Sequence, residues 1–206
     1  MHPDSRFGGE DRETLLAFIA AHPFVTIAAA VRGRPLVAQS PVVIRRLDGI
    51  GGEGEIALDF HLSRNNVLAQ HVVQGFRAVV LATGPNAYVS PDWYAGADQV
   101  PTWNYLSVEA EGSVAVLDDE ELVALLDDLS AQEEARLLPK PPWTRAKMTP
   151  GRFEAMTRAI IGARLIVDRL EGTFKLSQNK GEADRAGVVA ALGEHPIAGL
   201  MKTHNA

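Results

Sequence analysis

The spacing of apolar residues changes from helical to strand-like near Pro23. Over residues 11–21 the apolar side chains recur on one helical face, which predicts a short opening helix that Pro23 ends. The segments 24–31 and 35–47 are rich in Val, Ile and Ala, as β-strands are. Because Arg32-Gly33 between them is typical of a tight reversal, the two segments predict a β-hairpin.

Further strands are predicted between glycine-rich or polar breaks. Residues 48–55 hold too many glycines for regular structure, and the alternation over 56–62 predicts a third strand after this flexible loop. Ser63 is a candidate N-cap for a helix over 64–74, since its hydroxyl can accept from the free N–H groups of the first turn. The middle of the chain is completed by predicted strands over 76–82, 87–90 and 102–117.

The last third of the chain alternates between helix and strand. Leucines at helical spacing predict a helix over 118–137, with acidic residues in its first turn where the helix dipole favours them. Thr149-Pro150 is a start signal for a helix through residue 161, because proline at the first helical position lacks only an N–H that would be unpaired. A strand over 164–176 and a terminal helix near 183–192 follow.

This succession predicts a mainly β fold with peripheral helices, in the form of an antiparallel barrel. No Gly-x-Gly-x-x-Gly follows the first strand, which disfavours a Rossmann nucleotide domain. The length of 206 residues favours one domain over 1–206, with helical insertions near 118–137 and 149–161.

The composition narrows the chemistry open to the chain. The absence of cysteine excludes disulfides, thiolate metal sites, iron–sulfur clusters and cysteine nucleophiles, so redox chemistry would need a bound cofactor. The formal charge of −6 disfavours direct binding to nucleic acid, which needs an excess of Lys and Arg on one face. No apolar run approaches the ~20 residues of a membrane span, and no basic-then-apolar signal precedes a cleavage site. We therefore expect a soluble, cytoplasmic protein.

Three polar segments interrupt the predicted strands: island one (residues 61–66), island two (101–105) and island three (175–180). Island one offers Ser63, Arg64 and Asn65 ahead of a predicted helix whose free N–H groups carry partial positive charge, a donor set that suits phosphate. A capped helix with a solvated arginine explains the same residues and is the more frequent case.

The other two islands also admit two interpretations. Island three places two cations and three neutral polar groups directly after a strand, and a surface turn explains them about as well as a binding site. Island two extends a group of aromatic residues, which can wall a flat heteroaromatic ligand or pack in a core or dimer interface. The members of this group are Tyr88, Trp93, Tyr94, Trp103 and Tyr105.

Several common catalytic and metal motifs are absent from the sequence. The six histidines show no metal-ligand spacing, and His61 is the one that lies beside a candidate site. No Gly-x-Ser-x-Gly elbow and no P-loop occurs, so serine hydrolase and nucleotide triphosphatase chemistry are not supported.

The islands lie within longer strings of residues that are specific when taken together. These strings are Tyr88-Val-Ser-Pro-x-Trp-Tyr94, Pro101-Thr-Trp-Asn-Tyr105 and Lys175-Leu-Ser-Gln-Asn179. Together with His61-Leu-x-Arg-x-Asn66 they resemble, in order, the PaiB-like family of FMN-binding split-barrel proteins, often described as FMN-binding negative transcriptional regulators. The resemblance covers most of the chain.

The resemblance implies a split β-barrel that forms a homodimer, with each FMN between two subunits. It implies that Ser63, Arg64 and Lys175 lie near the FMN phosphate. It also implies that four residues lie near the ribityl chain or the ring: Thr102, Trp103, Ser177 and Gln178. Asn65 completes the implied cofactor-binding set. The chain departs from the family where Gln39-Ser40-Pro41 replaces His-Leu-Pro in the second strand.

The function implied by the resemblance is a flavin-dependent regulatory or sensing protein. Because the chain is acidic and shows no helix-turn-helix with a basic recognition helix, such regulation would be indirect. One alternative is an FMN-dependent oxidoreductase related to pyridoxamine-phosphate oxidases, although the sequence shows no acid–base pair that would indicate a substrate. Another is a haem-binding split-barrel protein with His61 as the axial ligand.

Overall fold

The computed structural model describes residues 4–47 and 54–204. Within them lie six strands: β1 (Phe24–Val31), β2 (Arg34–Leu47), β3 (Glu55–Ser63), β4 (Phe76–Val89), β5 (Thr102–Val116) and β6 (Ile160–Lys175). The α-helices are α1 (Arg12–Ala21), α2 (Asp119–Ala135), α3 (Arg152–Thr157), α4 (Glu182–Leu192) and α5 (Pro196–Thr203). Short 3₁₀ helices cover Ser5–Phe7, Leu68–Gln74, Pro91–Trp93 and Arg145–Lys147. No described helix has the length and apolar character needed to span a membrane.

The six strands form a closed barrel in the order β1-β2-β3-β6-β5-β4. The pairs β1–β2, β1–β4, β2–β3 and β3–β6 are antiparallel. The predicted hairpin is confirmed, with Val31 opposite Arg34 and a two-residue turn at Arg32 and Gly33. Both turn residues have positive φ, which matches the right-handed twist of the flanking strands. The prediction of a mainly β, antiparallel barrel with decorating helices is confirmed.

The residues group into two compact units. The barrel unit comprises Ile19–Ala82 and Ala110–Leu170, and the terminal unit comprises the described parts of Met1–Phe18, Thr83–Glu109 and Glu171–Ala206. Strands β4, β5 and β6 contribute residues to both units. The prediction of a single domain over 1–206 stays a prediction.

The barrel unit has an apolar interior and a charged, helix-covered outer side. Residues 56–60 of β3 are all buried, among them Leu58 and Phe60, so both faces of this strand are covered. On the outer side, α2 packs Leu122 and Leu125 against Val43 and Leu117. Gly112 of β5 is required, because a Cβ there would lie 1.7 Å from the Ile166 carbonyl oxygen of β6.

The terminal unit has a core of its own. Phe18 of α1 packs against Phe174 of β6 with ring centroids 5.3 Å apart. The two C-terminal helices bury one apolar face each, through Val188 of α4 and through Ile197 and Met201 of α5. This core supports the ends of β5 and β6, where islands two and three lie.

Several predicted elements differ from those observed, each for a local reason. The helix over 64–74 is wrong, because Ser63 still pairs with Ile160 and the Arg64 N–H donates to the Ala159 carbonyl, which leaves only a 3₁₀ helix from Leu68. The helix through 161 is shorter than predicted, because β6 recruits residues from Ile160 onward.

Two further differences concern β4 and the C-terminus. The predicted strands 76–82 and 87–90 form one strand, since Gly84 precedes Pro85 and a residue before proline favours extended backbone. Helix α5 was not predicted. It begins with His195 as N-cap and Pro196 at the first position. Of the predicted loop 48–55, residues 48–53 lie outside the described residues.

Candidate functional site

In the terminal unit, islands two and three lie side by side. Thr102 begins β5 and Lys175 ends β6, and the Lys175 Nζ donates to the Thr102 Oγ1 at 2.6 Å. Two residues further along each segment, the Asn104 Nδ2 donates to the Ser177 Oγ at 2.9 Å. The two strands therefore bring three predicted site residues together: Thr102, Lys175 and Ser177.

These residues line a cavity of about 200 Å³, which we call the lysine cavity. Its full lining is Asp4, Phe7, Tyr94, Val100, Thr102, Asn104, Lys175, Ser177, Asn179 and Lys180. All of them belong to the terminal unit. The cavity is smaller than the 300–1,000 Å³ that is usual for a complete small-molecule site, so it can hold one end of a ligand such as a flavin nucleotide.

The two lysines of the cavity are bound to neutral acceptors. Lys175 contacts the Thr102 hydroxyl and lies 5.6 Å from the Phe7 ring centroid. Lys180 donates to the Gln99 Oε1 at 2.6 Å and lies 4.7 Å from the Tyr94 ring centroid. Neither forms an ion pair with a carboxylate among the described residues. Burial lowers the pKa of Lys175, and the positive charge of Lys180 lowers it further.

The Tyr94 hydroxyl is a buried polar group without a partner. Tyr94 is 8% exposed, and its oxygen has no hydrogen-bond partner within the described part of the chain. Burial raises the pKa of Tyr94 and the charge of Asp184 adds to the rise, whereas an interaction with the Ser177 hydroxyl lowers it. That hydroxyl is itself paired with Asn104 and does not form a hydrogen bond of ordinary geometry with Tyr94. A buried hydroxyl without a hydrogen bond costs stability, so an acceptor at this position would be favourable.

Helix α4 fixes the wall of the cavity that carries Tyr94. The Asp184 Oδ1 accepts from the backbone N–H groups of Ala95 and Gly96, at 2.8 and 3.0 Å. Gly187 lets the helix approach closely, since a Cβ there would lie 2.1 Å from the Trp93 carbonyl oxygen. The loop that carries Tyr94 is therefore held from the side of α4.

Island three has a strained backbone at Ser177. Its φ is 60°, a left-handed conformation that non-glycine residues rarely adopt. Ser177 is buried and its hydroxyl also lies 3.2 Å from the Asn104 Oδ1. The Arg185 Nη1 donates to the Leu176 carbonyl beside it, at 3.1 Å. These contacts hold the turn that presents Lys175 and Lys180 to the cavity.

Two predicted site residues of the terminal unit do not line the cavity. Gln178 is bound to the backbone of its own segment, accepting from the Leu176 N–H and donating to the Phe174 carbonyl. Trp103 alternates with the buried Asn104 along β5 and is exposed, with its ring edge-to-face against Tyr88 at 6.1 Å. Both remain in the predicted set without a cavity contact.

Island one lies in the barrel unit. Ser63, Arg64 and Asn65 are exposed, and the Ser63 Oγ accepts from the Asn65 N–H at 3.3 Å. The Arg64 Nε donates to the Arg158 carbonyl oxygen at 3.0 Å. Because the predicted helix is absent, the helix N-terminus that was expected to help bind a phosphate is absent too.

Arg64 nevertheless lines a cavity of about 490 Å³, which we call the arginine cavity. Arg158 also lines it, together with the carboxylates Asp119 and Glu154. This cavity is large enough for a small molecule but less strongly cationic than the lysine cavity.

Comparison with known proteins identifies the family of the chain. Residues 1–169 match the family model described as "Putative FMN-binding domain". Over 203 residues the chain is 26% identical to protease synthase and sporulation protein PAI 2 of Bacillus subtilis, covering 98% of this chain and 94% of that protein. It is also 30% identical over 161 residues to uncharacterized protein AN0679 of Emericella nidulans, covering 64% of each.

The chain belongs to this FMN-binding domain family. The predicted PaiB-like resemblance is confirmed, and so is FMN as the cofactor of the family. Island three lies beyond the matched range, so the family model alone does not cover Lys175 or Ser177.

Solved structures confirm the fold of this family member. The flavocytochrome Anf3 from Azotobacter vinelandii aligns with a TM-score of 0.59 and 18% identity, over 90% of this chain and 78% of that one. The FAD and heme binding protein from Mycobacterium smegmatis aligns with a TM-score of 0.55 and 19% identity, over 92% and 82%. The predicted split barrel is therefore confirmed as the fold.

Two buried groups near island one lie outside the predicted set. Ser40, part of the departure from the family pattern, is buried and donates through its Oγ to the His61 carbonyl oxygen at 2.7 Å. The His61 Nδ1 is buried and has no hydrogen-bond partner among the described residues. Burial lowers the pKa of His61, which favours a neutral imidazole. No group of three or more metal-ligating side chains occurs in the described ranges.

Seven of the ten cavity residues were missing from the predicted set, and the polar groups of three of them matter most for binding: Tyr94, Asn104 and Lys180. Asn104 could have been found from strand alternation, since residues 102 and 104 point to the same side of β5. Lys180 lies in island three and Tyr94 in the aromatic group, but their approach to each other depends on the loop held by Asp184.

Proposed function

We propose that this chain binds FMN through the predicted residues of all three islands and acts as a flavin-dependent regulatory or sensing protein. The observation that carries the proposal is the lysine cavity, where Thr102, Lys175 and Ser177 meet. The predicted set also contains Trp103 and Gln178, and the island-one residues Ser63, Arg64 and Asn65.

The donors present suit FMN. The ligand has a dianionic phosphate, a chain of hydroxyls and a flat heteroaromatic ring. Lysines and arginines provide charge-assisted hydrogen bonds for the phosphate, and hydroxyl and amide side chains suit the ribityl chain. The unpartnered Tyr94 hydroxyl marks a position where a ligand acceptor is favourable. Bound flavin would supply hydride or electron transfer, which the protein side chains alone lack.

The direct test is flavin retention by the purified protein. Visible absorbance is recorded after FMN addition and ultrafiltration, and the proposal expects flavin retained near one per chain. Absence of flavin from the retained fraction would contradict it.

Arg64 tests the contribution of island one. Arg64→Ala should weaken FMN binding by about 1.5–3 kcal/mol, the usual size of a charge-assisted hydrogen bond. Arg152→Ala is a matched control, because Arg152 is an exposed arginine that does not line the arginine cavity. An equal FMN affinity for wild type and Arg64→Ala would remove Arg64 from the site.

The second part of the proposal is a homodimer with FMN between the subunits. Exposed aromatic residues of the terminal unit support it: Trp103 is 53% exposed and Tyr88 is 47% exposed, and aromatic side chains are enriched in interfaces. Light scattering after gel filtration should give about twice the 22.2 kDa chain mass. Trp103→Ser should shift the mass toward the monomer, whereas Trp143→Ser in the barrel unit should not. A monomeric wild type contradicts this part.

The regulatory role is carried over from the resemblance to the PaiB-like family, and the name of the relative, protease synthase and sporulation protein PAI 2, supports it. With a formal charge of −6, the chain would regulate transcription indirectly rather than by holding DNA itself. A DNA-retention assay at physiological ionic strength should show no sequence-specific complex. Salt-dependent retention of a defined DNA would instead support a direct regulator.

An FMN-dependent oxidoreductase is the second candidate. The lysine cavity favours it, because it offers space for an anionic group in a unit that also carries aromatic side chains. Anaerobic addition of NADH or NADPH to the flavin-loaded protein should bleach the flavin absorbance if this candidate is correct. Persistent absorbance with both reductants favours the regulatory protein.

The haem alternative rests on the unpartnered Nδ1 of His61, which could serve as a ligand. A haem titration should give a Soret band that is lost in His61→Gln if this alternative holds. Absence of the band in wild type removes it.

A further inference from the structure

We propose that the lysine cavity is a binding site for a small oxyanionic group, a phosphate or a carboxylate, with Lys175 and Lys180 as its cations and Tyr94 as a hydrogen-bond donor. The inference deepens the proposed function and rests on it only for the larger molecule to which the group belongs. It adds Tyr94 and Lys180 to the binding residues predicted from the sequence.

The lysine cavity carries positive charge. Two ammonium groups line one cavity of about 200 Å³, and their hydrogen bonds go to the neutral oxygens of Thr102 and Gln99. Like charges at such a site repel each other, and partial burial increases the repulsion. An oxyanion between them would relieve that repulsion and receive charge-assisted hydrogen bonds.

The Tyr94 hydroxyl also indicates a bound acceptor, independently of the lysines. It is buried, lines the same cavity and lacks a hydrogen-bond partner among the described residues. A tyrosine O–H can donate to an oxyanion. Buried polar groups nearly always find a partner, so an unpartnered hydroxyl beside two cations indicates a bound acceptor.

The nearby carboxylates are already engaged by other groups. Asp4 lines the cavity but forms a two-oxygen ion pair with the Arg6 guanidinium, at distances down to 2.6 Å. Asp184 accepts from two backbone N–H groups of the Tyr94 loop. Neither carboxylate forms an ion pair with Lys175 or Lys180, so the positive charge of the cavity persists.

The volume restricts the ligand to a small group. A cavity of this size is below the range for a complete drug-sized ligand but admits a tetrahedral or planar oxyanion. Such a group has two sources here: the phosphate of FMN, or a separate small molecule such as the anionic reaction partner of the flavin.

The experiment measures inorganic phosphate binding by isothermal titration at constant ionic strength, with chloride as the comparison ion. Wild type should bind phosphate saturably. Lys175→Met/Lys180→Met should lose at least tenfold in affinity, and Tyr94→Phe should lose about two- to fivefold. Lys202→Met is the matched control, because Lys202 is an exposed lysine of the same unit outside the cavity. Equal phosphate affinity in wild type and the double variant would overturn the inference, as would no binding by wild type.

Conservative variants keep the test decisive if the double variant misfolds. Tyr94→Phe removes one oxygen only, and Lys175→Arg retains the charge, so thermal unfolding should show both folded. Lys175→Arg should retain phosphate binding within about threefold, and Lys175→Met alone should not. Equal affinity in Lys175→Met and Lys175→Arg would overturn the role of charge.

Competition distinguishes the two sources. If FMN displaces phosphate and riboflavin does not, the site receives the flavin phosphate. If FMN and phosphate bind together, the site receives a separate oxyanion. Phosphate binding without any FMN retention would refute the proposed function and leave this inference standing. Retained FMN with phosphate binding that is unaffected by the variants would refute this inference alone.

Discussion

Partly buried charge is arranged in opposite ways in the two units. In the barrel unit, Asp59 is 1% exposed and its carboxylate receives the Nε of Arg45 at 2.9 Å and the Nε of Arg164 at 2.7 Å. In the terminal unit, the hydrogen bonds of Lys175 and Lys180 within the described residues go to neutral acceptors. The chain neutralises the Asp59 carboxylate with its own arginines, whereas a bound anion would be needed to neutralise Lys175 and Lys180.

The arginines at Asp59 also connect the barrel to α2. Arg164 contacts Glu121 at 2.8 Å and Arg45 contacts Asp128 at 2.5 Å, both on that helix. This network of ion pairs joins β2, β3, β6 and α2. Its arrangement indicates a structural role, while the unneutralised lysine cavity indicates a ligand.

The largest effect is expected at Asp59. Asp59→Asn should lower the free energy of unfolding by about 3 kcal/mol, because it removes the buried carboxylate between two partly buried guanidinium groups and leaves each with only its more exposed acidic partner on α2. Urea unfolding measures the change. Asp168→Asn is the control, since its pair with Arg77 is exposed and should change stability by about 0–1 kcal/mol. Similar losses for both variants would contradict the distinction between buried and exposed pairs.

The pH dependence of the lysine cavity should be intermediate in size. The pKa of Lys175 is lowered, so phosphate binding should weaken as pH rises through that pKa, below the value of about 10.4 for an ordinary lysine. Over the same interval the folded state gives up its proton before the unfolded state does, so stability of the free protein should rise relative to Lys175→Met. Parallel titrations of binding and stability check these opposite trends. Trends of the same sign would contradict the assignment.

The smallest effect is expected for the folding stability of Lys175→Met. Removing a partly buried, unpaired cation while keeping the side-chain length should change the free energy of unfolding by no more than about 1 kcal/mol. The lost hydrogen bond to Thr102 opposes the relief of charge burial. Urea unfolding in phosphate-free buffer provides the measurement. A loss as large as that of Asp59→Asn would show that Lys175 is structural.

Much of the fold could be predicted because apolar periodicity is a local property. The spacing of α1, the turn at Arg32-Gly33 and the acidic first turn of α2 are all visible in the sequence. The predicted helix after Ser63 failed because β6 pairs through Ile160 and holds Ser63 in the sheet. A pairing between residues almost a hundred positions apart has no local signal.

The candidate site divides in the same way. Lys175, Thr102 and Ser177 could be selected from polar residues at strand ends, and the structure brings them together. The sequence gives no comparable signal that Tyr94 and Lys180 belong to the site, because their proximity depends on Gly187 and Asp184 of α4. Gln178 has the right chemistry in the sequence, but its own backbone uses its amide.

The central claim is that this family member recognises FMN through its phosphate as well as its ring. Measuring the affinity of the purified protein for FMN and for riboflavin, under the same ionic conditions, tests it most directly. Because charge-assisted hydrogen bonds to the phosphate are absent for riboflavin, the account predicts at least a tenfold preference for FMN. Equal affinities for the two flavins, or no binding of FMN, would contradict it.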